Sequence, residues 1–273
     1  MEDRLVWLLN YFELRARVFQ AGPLCHSARY DEEDGVGYLH VLRSGALTLK
    51  TAGQPRVELK EPCLVFYMNP TGHHIQPAAR GVDMVCASFD FGAGRGNPLG
   101  PALPDVLVLK LVDMPTLDTL LELLFQEASA QHCGRQAVLD RLSEVVIVQL
   151  LRDLMDRQRL EVGLFAALAQ PKLARAINAI HAEPARPWTL EELSEVAGMS
   201  RARFAVRFRD TVGTTPGSYL TAWRMGIAQT LLRKGKSVQW VADEVGYASA
   251  SALSRAFTAQ LGLSPSDWKK RQS

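Results

Sequence analysis

The sequence predicts a two-domain α+β chain: an N-terminal β-barrel or sandwich with helices behind it, then an all-α domain built on a tandem helix-turn-helix. Three observations predict it. Residues 189–265 carry one helical pattern twice. Residues 21–90 break into short β-type runs separated by turn residues. Charge is divided: residues 171–273 hold 15 Lys and Arg against 8 Asp and Glu, leaving 16 against 21 in residues 1–170, in a chain of formal net charge +2.

From the start, MEDRLVWLLNYFELRARVF reads as one amphipathic helix. It has early acidic residues and lacks the basic start and small-residue cleavage site of a signal peptide, so a cytoplasmic protein is expected. No apolar run reaches the ~18 residues of a membrane span. Strands are expected at Val36–Arg43, Ala46–Thr51, Arg56–Leu59, Leu64–Asn69 and Met84–Asp90, with turns at Ser44-Gly45, Ala52-Gly53, Glu61-Pro62 and Pro70-Thr71-Gly72. Evenly spaced short strands favour a barrel or sandwich. Helical periodicity returns over 115–160. Leu117, Leu120, Leu121, Leu124 and Phe125 form one stripe, and Leu139, Leu142, Val146, Gln149, Leu150 and Leu154 a second. This helix pair is read either as a homodimer surface or as a cover for the barrel. The expected division is 1–160, a linker at 161–172, and 173–273.

The first repeat, TLEELSEVAGMSRARFAVRFRDTVGTTP, opens with Thr189 as N-cap and Glu192 as its capping-box partner. Leu190, Leu193 and Val196 form one face of the first helix, with Ala197 beside it. Gly198 turns the chain and Ser200 caps a second helix, whose inward stripe is Phe204, Phe208 and Val212. At 100° per residue, Ala202, Val206 and Arg209 lie opposite, with Arg203 and Ala205 on the shoulders. Gly213 and Pro216 stop it. The second repeat, SVQWVADEVGYASASALSRAFTAQLGLSP, has Ser237 and Ser249 as caps, and Val238, Val241, Ala242 and Val245 facing inward. Leu253, Phe257 and Leu261 form its second stripe, and Ala250, Ser251, Ser254 and Arg255 lie on or near the outer face. Between the repeats, Ser218–Lys234 reads as one helix, a rigid connector for two recognition helices. Two such units, on the basic part of the chain, point to DNA.

MSRARFAVRFRDTVGTTPGSYLTAWRMGIAQTLL and VADEVGYASASALSRAFTAQLGLSPSDW resemble the DNA-binding region of the AraC family of bacterial transcription regulators, over residues 171–270. The resemblance implies two helix-turn-helix units joined by a long helix, touching adjacent major-groove segments of double-stranded promoter DNA, with RNA polymerase as a further partner. Carried over by position, DNA contacts come from Arg201, Ala202, Arg203, Ala205, Val206 and Arg209, and from Ala250, Ser251, Ser254 and Arg255. Ala202, Ala205 and Val206 offer no hydrogen bonds to bases and leave specificity to thymine methyls or DNA shape. GYLHVLRSGALTL, NPTGHH and MVCASFDF with NPLGPALPDVLVL resemble the cupin subgroup found in many such regulators, over residues 10–110. That resemblance implies a cupin-like sensing domain for a small molecule or an oxidant. This chain departs from the subgroup in having Glu61-Pro62 where many members have Gly-Asp.

His26, His40 and His74 are the candidate effector-pocket residues, and His73 adjoins them. A metal cupin needs about three imidazoles and a carboxylate converging on one point. Here there is no His-x-His and no matching glutamate after His40, so no metal and no cofactor are expected. Without Cys-x-x-Cys, the cysteines 25, 63, 86 and 133 read as reduced thiols. Cys25, beside His26 and near Arg29, and Cys86, in a strand-like run, are the redox candidates. The competing reading is a metal-dependent cupin enzyme fused to DNA-binding helices. A third is an architectural DNA binder without a sensor. The regulator is favoured, and no enzyme is expected.

Overall fold

Side chains that alternate inward and outward along the chain pair into one antiparallel sheet of seven strands. These are β1 (Arg15–Leu24), β2 (Ala28–Tyr30), β3 (Gly37–Thr51), β4 (Val57–Leu59), β5 (Cys63–Tyr67), β6 (His73–Asp90) and β7 (Leu107–Lys110). The order is β1-β6-β3-β5-β7, with β2 also on β6 and β4 on β3. The computed structural model describes residues 3–33, 35–91, 104–157 and 160–272. Part of the expected cupin segment NPLGPALPDVLVL, residues 97–103, lies outside them.

Two expected strands, Val36–Arg43 and Ala46–Thr51, are one strand bent at bulges around Ser44 and Gly45. Gly45 has φ 95°, and a Cβ there would lie 2.7 Å from the Gly81 carbonyl oxygen, so only glycine turns this corner. The expected strand Met84–Asp90 is the last third of β6. The expected N-terminal helix is much shorter than the reading: α1 spans Val6–Tyr11, and β1 begins at Arg15. In Arg15–Phe19 the period of two wins, because Ala16 and Val18 are buried while Arg15 and Arg17 are exposed. The inner face of the sheet is a core of Tyr38, Leu42, Leu49, Tyr67, Met84, Cys86 and their neighbours.

Behind the sheet come α2 (Asp118–Ser129) and α3 (Arg135–Asp156). Leu121, Leu124 and Phe125 of α2, and Leu139, Val146 and Leu150 of α3, are buried as the stripes required. Three α3 side chains at helical spacing close the free edge of β1. Asp140 accepts from the Val18 amide (2.7 Å), Glu144 from the Ala16 amide (3.2 Å), and Gln136 donates to the Val18 carbonyl (2.7 Å). An edge strand left open would invite pairing with another chain. That face of α3 covers the β1 edge of the sheet.

The other helices are α4 (Leu164–Leu168), α5 (Pro171–Ala182), α6 (Leu190–Ala197), α7 (Arg201–Val212), α8 (Pro216–Arg233), α9 (Val238–Glu244), α10 (Ala250–Leu261) and α11 (Pro265–Gln272). The compact units divide the chain differently from 1–160 and 173–273. One comprises Leu14–Asp90 and Pro104–Leu154; the other comprises Met1–Glu13, Phe91–Leu103 and Met155–Ser273. The expected linker at 161–172 is packed structure: every residue of α4 is buried, and the Gly163 amide donates to the Thr211 carbonyl. An apolar Leu-Phe-Ala-Ala-Leu run is core, not spacer. The first residues belong with the helices too. Leu8 and Phe12 are fully buried, Phe12 meets Trp223 of α8 edge to face at 5.0 Å, Arg4 donates to the Leu168 carbonyl, and Glu13 pairs with Lys234.

Candidate nucleic-acid interface

The first helix-turn-helix starts from a complete capping box. Thr189 accepts from the Glu192 amide, and the Glu192 carboxylate accepts from the Thr189 amide and hydroxyl. Those bonds, led by the Thr189 amide and joined by Arg186, hold the Glu192 carboxyl down to about 2. One expectation for α6 is corrected. Val196 is exposed, and Ala197 with Leu193 and Ser194 is buried. The i, i+4 pair Leu193–Ala197 lies on the buried face, and Val196, one residue earlier, falls off it. Gly198 closes the helix at φ 62°. Ser200 takes the N-cap position of α7, but its side chain makes no capping bond.

In α7, Phe204 and Phe208 are fully buried and Val212 is buried beside them. Arg201, Ala202, Arg203, Val206 and Arg209 are exposed, and Ala205 is half-buried. The second unit repeats this. Ser237 accepts from the Trp240 amide and Ser249 from the Ala252 amide. Val241, Ala242, Val245, Leu253 and Phe257 are fully buried. Ser251 and Arg255 are exposed, while Ala250 and Ser254 are half-buried. Arg203, Arg209 and Arg255 have no carboxylate partner among the described residues; Arg201 pairs loosely with Glu191 at 3.8 Å. Each unit therefore presents one helix whose outer face carries unneutralised guanidinium groups, the charge that phosphates and base edges take up. Between them α8 runs unbroken from Pro216, with Tyr219, Trp223 and Ile227 buried.

Three features escaped the sequence reading. Gln239 of α9 accepts from the Ala250 amide at 3.3 Å and anchors the start of α10. Trp240 is 43% exposed, with Lys236 Nζ 5.0 Å from its ring. Arg224 of α8 binds the loop before α6. None sits on a recognition helix, so the repeat carried no signal for them.

In the sheet, the structure brings together two histidines. His40 and His73 are buried with their Nε2 atoms 2.7 Å apart, ringed by Tyr30, Tyr38 and Tyr67. The Thr71 carbonyl can only accept, so His73 Nδ1 carries its proton to it (2.8 Å). His73 Nε2 is then an acceptor, His40 Nε2 the donor, and His40 Nδ1 is left a buried acceptor without a partner. Burial pushes His73 down to about 4; it also lowers His40 well below the ordinary imidazole value, with the His73 neighbour adding to it. Both rings are neutral at neutral pH. The pair lies inside the sheet, whereas His26 is exposed before β2 and His74, next along β6, is on the opposite face from His73. Among the described residues, no three His, Cys, Asp or Glu side chains are grouped to hold a metal. No helix among them is long and apolar enough to cross a membrane.

Residues 3–156 match the cupin family, and residues 193–271 match a helix-turn-helix domain family. An uncharacterized HTH-type transcriptional regulator of Haemophilus influenzae is 30% identical over 267 residues, 89% of each chain. A putative AraC-like transcription regulator of Streptomyces lividans is 35% identical over 247 residues, 88% of this chain and 79% of that one. The chain belongs to the AraC family of transcription regulators. Among solved structures, the DNA-binding domain of AdpA, a global transcriptional factor in complex with a target DNA, is 33% identical, covering 37% of this chain and 93% of that one, with a TM-score of 0.36.

In this AraC-family regulator the redox candidates are not a pair. Cys25 is exposed and Cys86 buried. Cys25 lies level with Gly81, since a Cβ on Gly81 would sit 3.3 Å from its Sγ, whereas Cys86 pairs with Gln20. Five residues of strand separate those levels, roughly 16 Å. Bridging requires Cα atoms within ~7 Å. Burial also pushes the Cys86 thiol up to about 12, against thiolate chemistry.

Proposed function

We propose that this regulator binds promoter DNA sequence-specifically, with α7 and α10 in successive major-groove segments. The observation that carries this reading is the pair of outward helix faces with Arg203, Arg209 and Arg255 unpaired, on two units joined by the single helix α8. DNA contacts fall to Arg201, Ala202, Arg203, Ala205, Val206 and Arg209, and to Ala250, Ser251, Ser254 and Arg255. Val206 and the alanines take thymine methyls or groove shape. The cupin domain receives the signal, and the partners of the bound state are RNA polymerase and a small effector. That effector is a molecule with a hydrogen-bond donor, which would satisfy His40 Nδ1 among the three tyrosine rings. A signal acts by favouring one of two states. Selection from a random duplex pool, followed by anisotropy titration at several salt concentrations, tests the DNA reading. A recovered motif with two separated half-sites is expected; a pool recovered without any motif overturns it.

A further inference from the structure

The two helix-turn-helix units are held by more than α8. Halfway along α8, the Arg224 guanidinium donates to three successive carbonyls of the loop before α6: Nε to Pro184 (2.6 Å), and one terminal nitrogen to Ala185 (3.2 Å) and Arg186 (2.9 Å). The same guanidinium lies 5.7 Å from the centre of the Tyr247 ring. Tyr247 follows Gly246, the turn between α9 and α10. At Gly246 (φ 76°), a Cβ would collide with the Ala185 carbonyl oxygen. So the loop that enters the first unit rests directly on the turn of the second, and Arg224 pins both.

We propose that Arg224 is a positioning residue that sets the spacing and phase between α7 and α10 for DNA. The proposal rests on the DNA-binding reading above. A planar guanidinium spread over three carbonyls and one aromatic ring, beside a backbone contact that admits no side chain, ties the loop of the first unit to the turn of the second, a link added to the packing of each unit on α8. Two modules held rigidly gain affinity only when the site spacing matches, and they lose it sharply otherwise. One added base pair turns the duplex by about 34° and advances it by ~3.4 Å, so a clamped pair discriminates spacing and a loosened pair does not.

The test uses the full chain and duplexes selected by it. Three are titrated: the selected site, that site with one base pair inserted between its half-sites, and a single half-site. The wild type is expected to bind the selected site at least about tenfold more tightly than the inserted one. Arg224→Ala is expected to lose about tenfold on the selected site, to match wild type on the half-site, and to show a smaller penalty for the insertion. Arg224→Lys, which keeps the charge and can serve one carbonyl, gives the same split with smaller amplitude, and replaces the alanine variant if that variant does not fold. Equal losses on half and full sites, or no loss on either, overturn the clamp while leaving the DNA reading intact. A wild type that selects no duplex overturns both.

Discussion

At the scale of single residues, burial decides what each polar side chain does. His40 and His73 stay neutral because no charge can be solvated between Tyr30, Tyr38 and Tyr67. The unfolded chain takes up a proton at an ordinary histidine from about pH 6.5 downward, whereas folded His73 does so only near 4. Between those values the unfolded state binds more protons, so stability falls as pH drops from 6.5 to 4 and has no slope from this group above 6.5. The contribution of His73 is on the order of 3 kcal/mol at the acid end. Urea unfolding at pH 7 and pH 5 is expected to show about 2 kcal/mol of this loss, with a smaller difference in His73→Asn. The cysteines separate in the same way: brief iodoacetamide treatment is expected to label Cys25 and Cys133 and to spare Cys63 and Cys86. A Cys25–Cys86 disulfide in peptide maps of oxidised protein would refute the register at β1 and β6. On the outer faces, Arg209→Ala and Arg255→Ala are each expected to weaken binding. A base-reading arginine costs ~1–3 kcal/mol and relaxes specificity at one position, and a phosphate-binding one lowers the salt slope by about one. Unchanged titration curves in both variants would remove α7 and α10 from the interface.

Among the elements, those with strong helical periodicity and caps were legible in sequence, and those with short or mixed patterns were not. Thr189, Ser237 and Ser249 cap where expected, and Gly213 and Gly262 end α7 and α10 in the left-handed region. Phe208→Ala or Phe257→Ala removes a fully buried ring from one unit and is expected to cost ~3–5 kcal/mol and abolish DNA binding. Calorimetry in which neither variant lowers the melting temperature would contradict the inward stripes. β1 was hidden because Glu13–Phe19 fits both a helix and a strand over so few residues. Its edge is closed by Gln136, Asp140 and Glu144, a pattern that looks like an ordinary solvated helix face until the partner strand is in place.

Over the whole molecule, the N-terminal residues fold with helices more than 150 positions away. Leu8→Ala and Phe12→Ala are each expected to destabilise the helix-turn-helix unit by ~2–5 kcal/mol, because Leu8 is fully buried and Phe12 covers Trp223. A melt that leaves this unit unchanged would show that α1 contributes nothing to it. The sequence by itself determined the tandem helix-turn-helix, its caps at Thr189, Ser237 and Ser249, the inward phenylalanines of α7 and α10, and the presence of a β domain before it. These follow from local periodicity, where neighbours in sequence are neighbours in space. Only the tertiary structure decided that His40 and His73 share one hydrogen bond, that Cys25 and Cys86 stand apart, that residues 164–168 are core, and that Arg224 grips the loop before α6. Each of those depends on strand register or on helix docking between distant segments. A single residue of register, or one turn of a helix, changes such contacts without changing any local pattern.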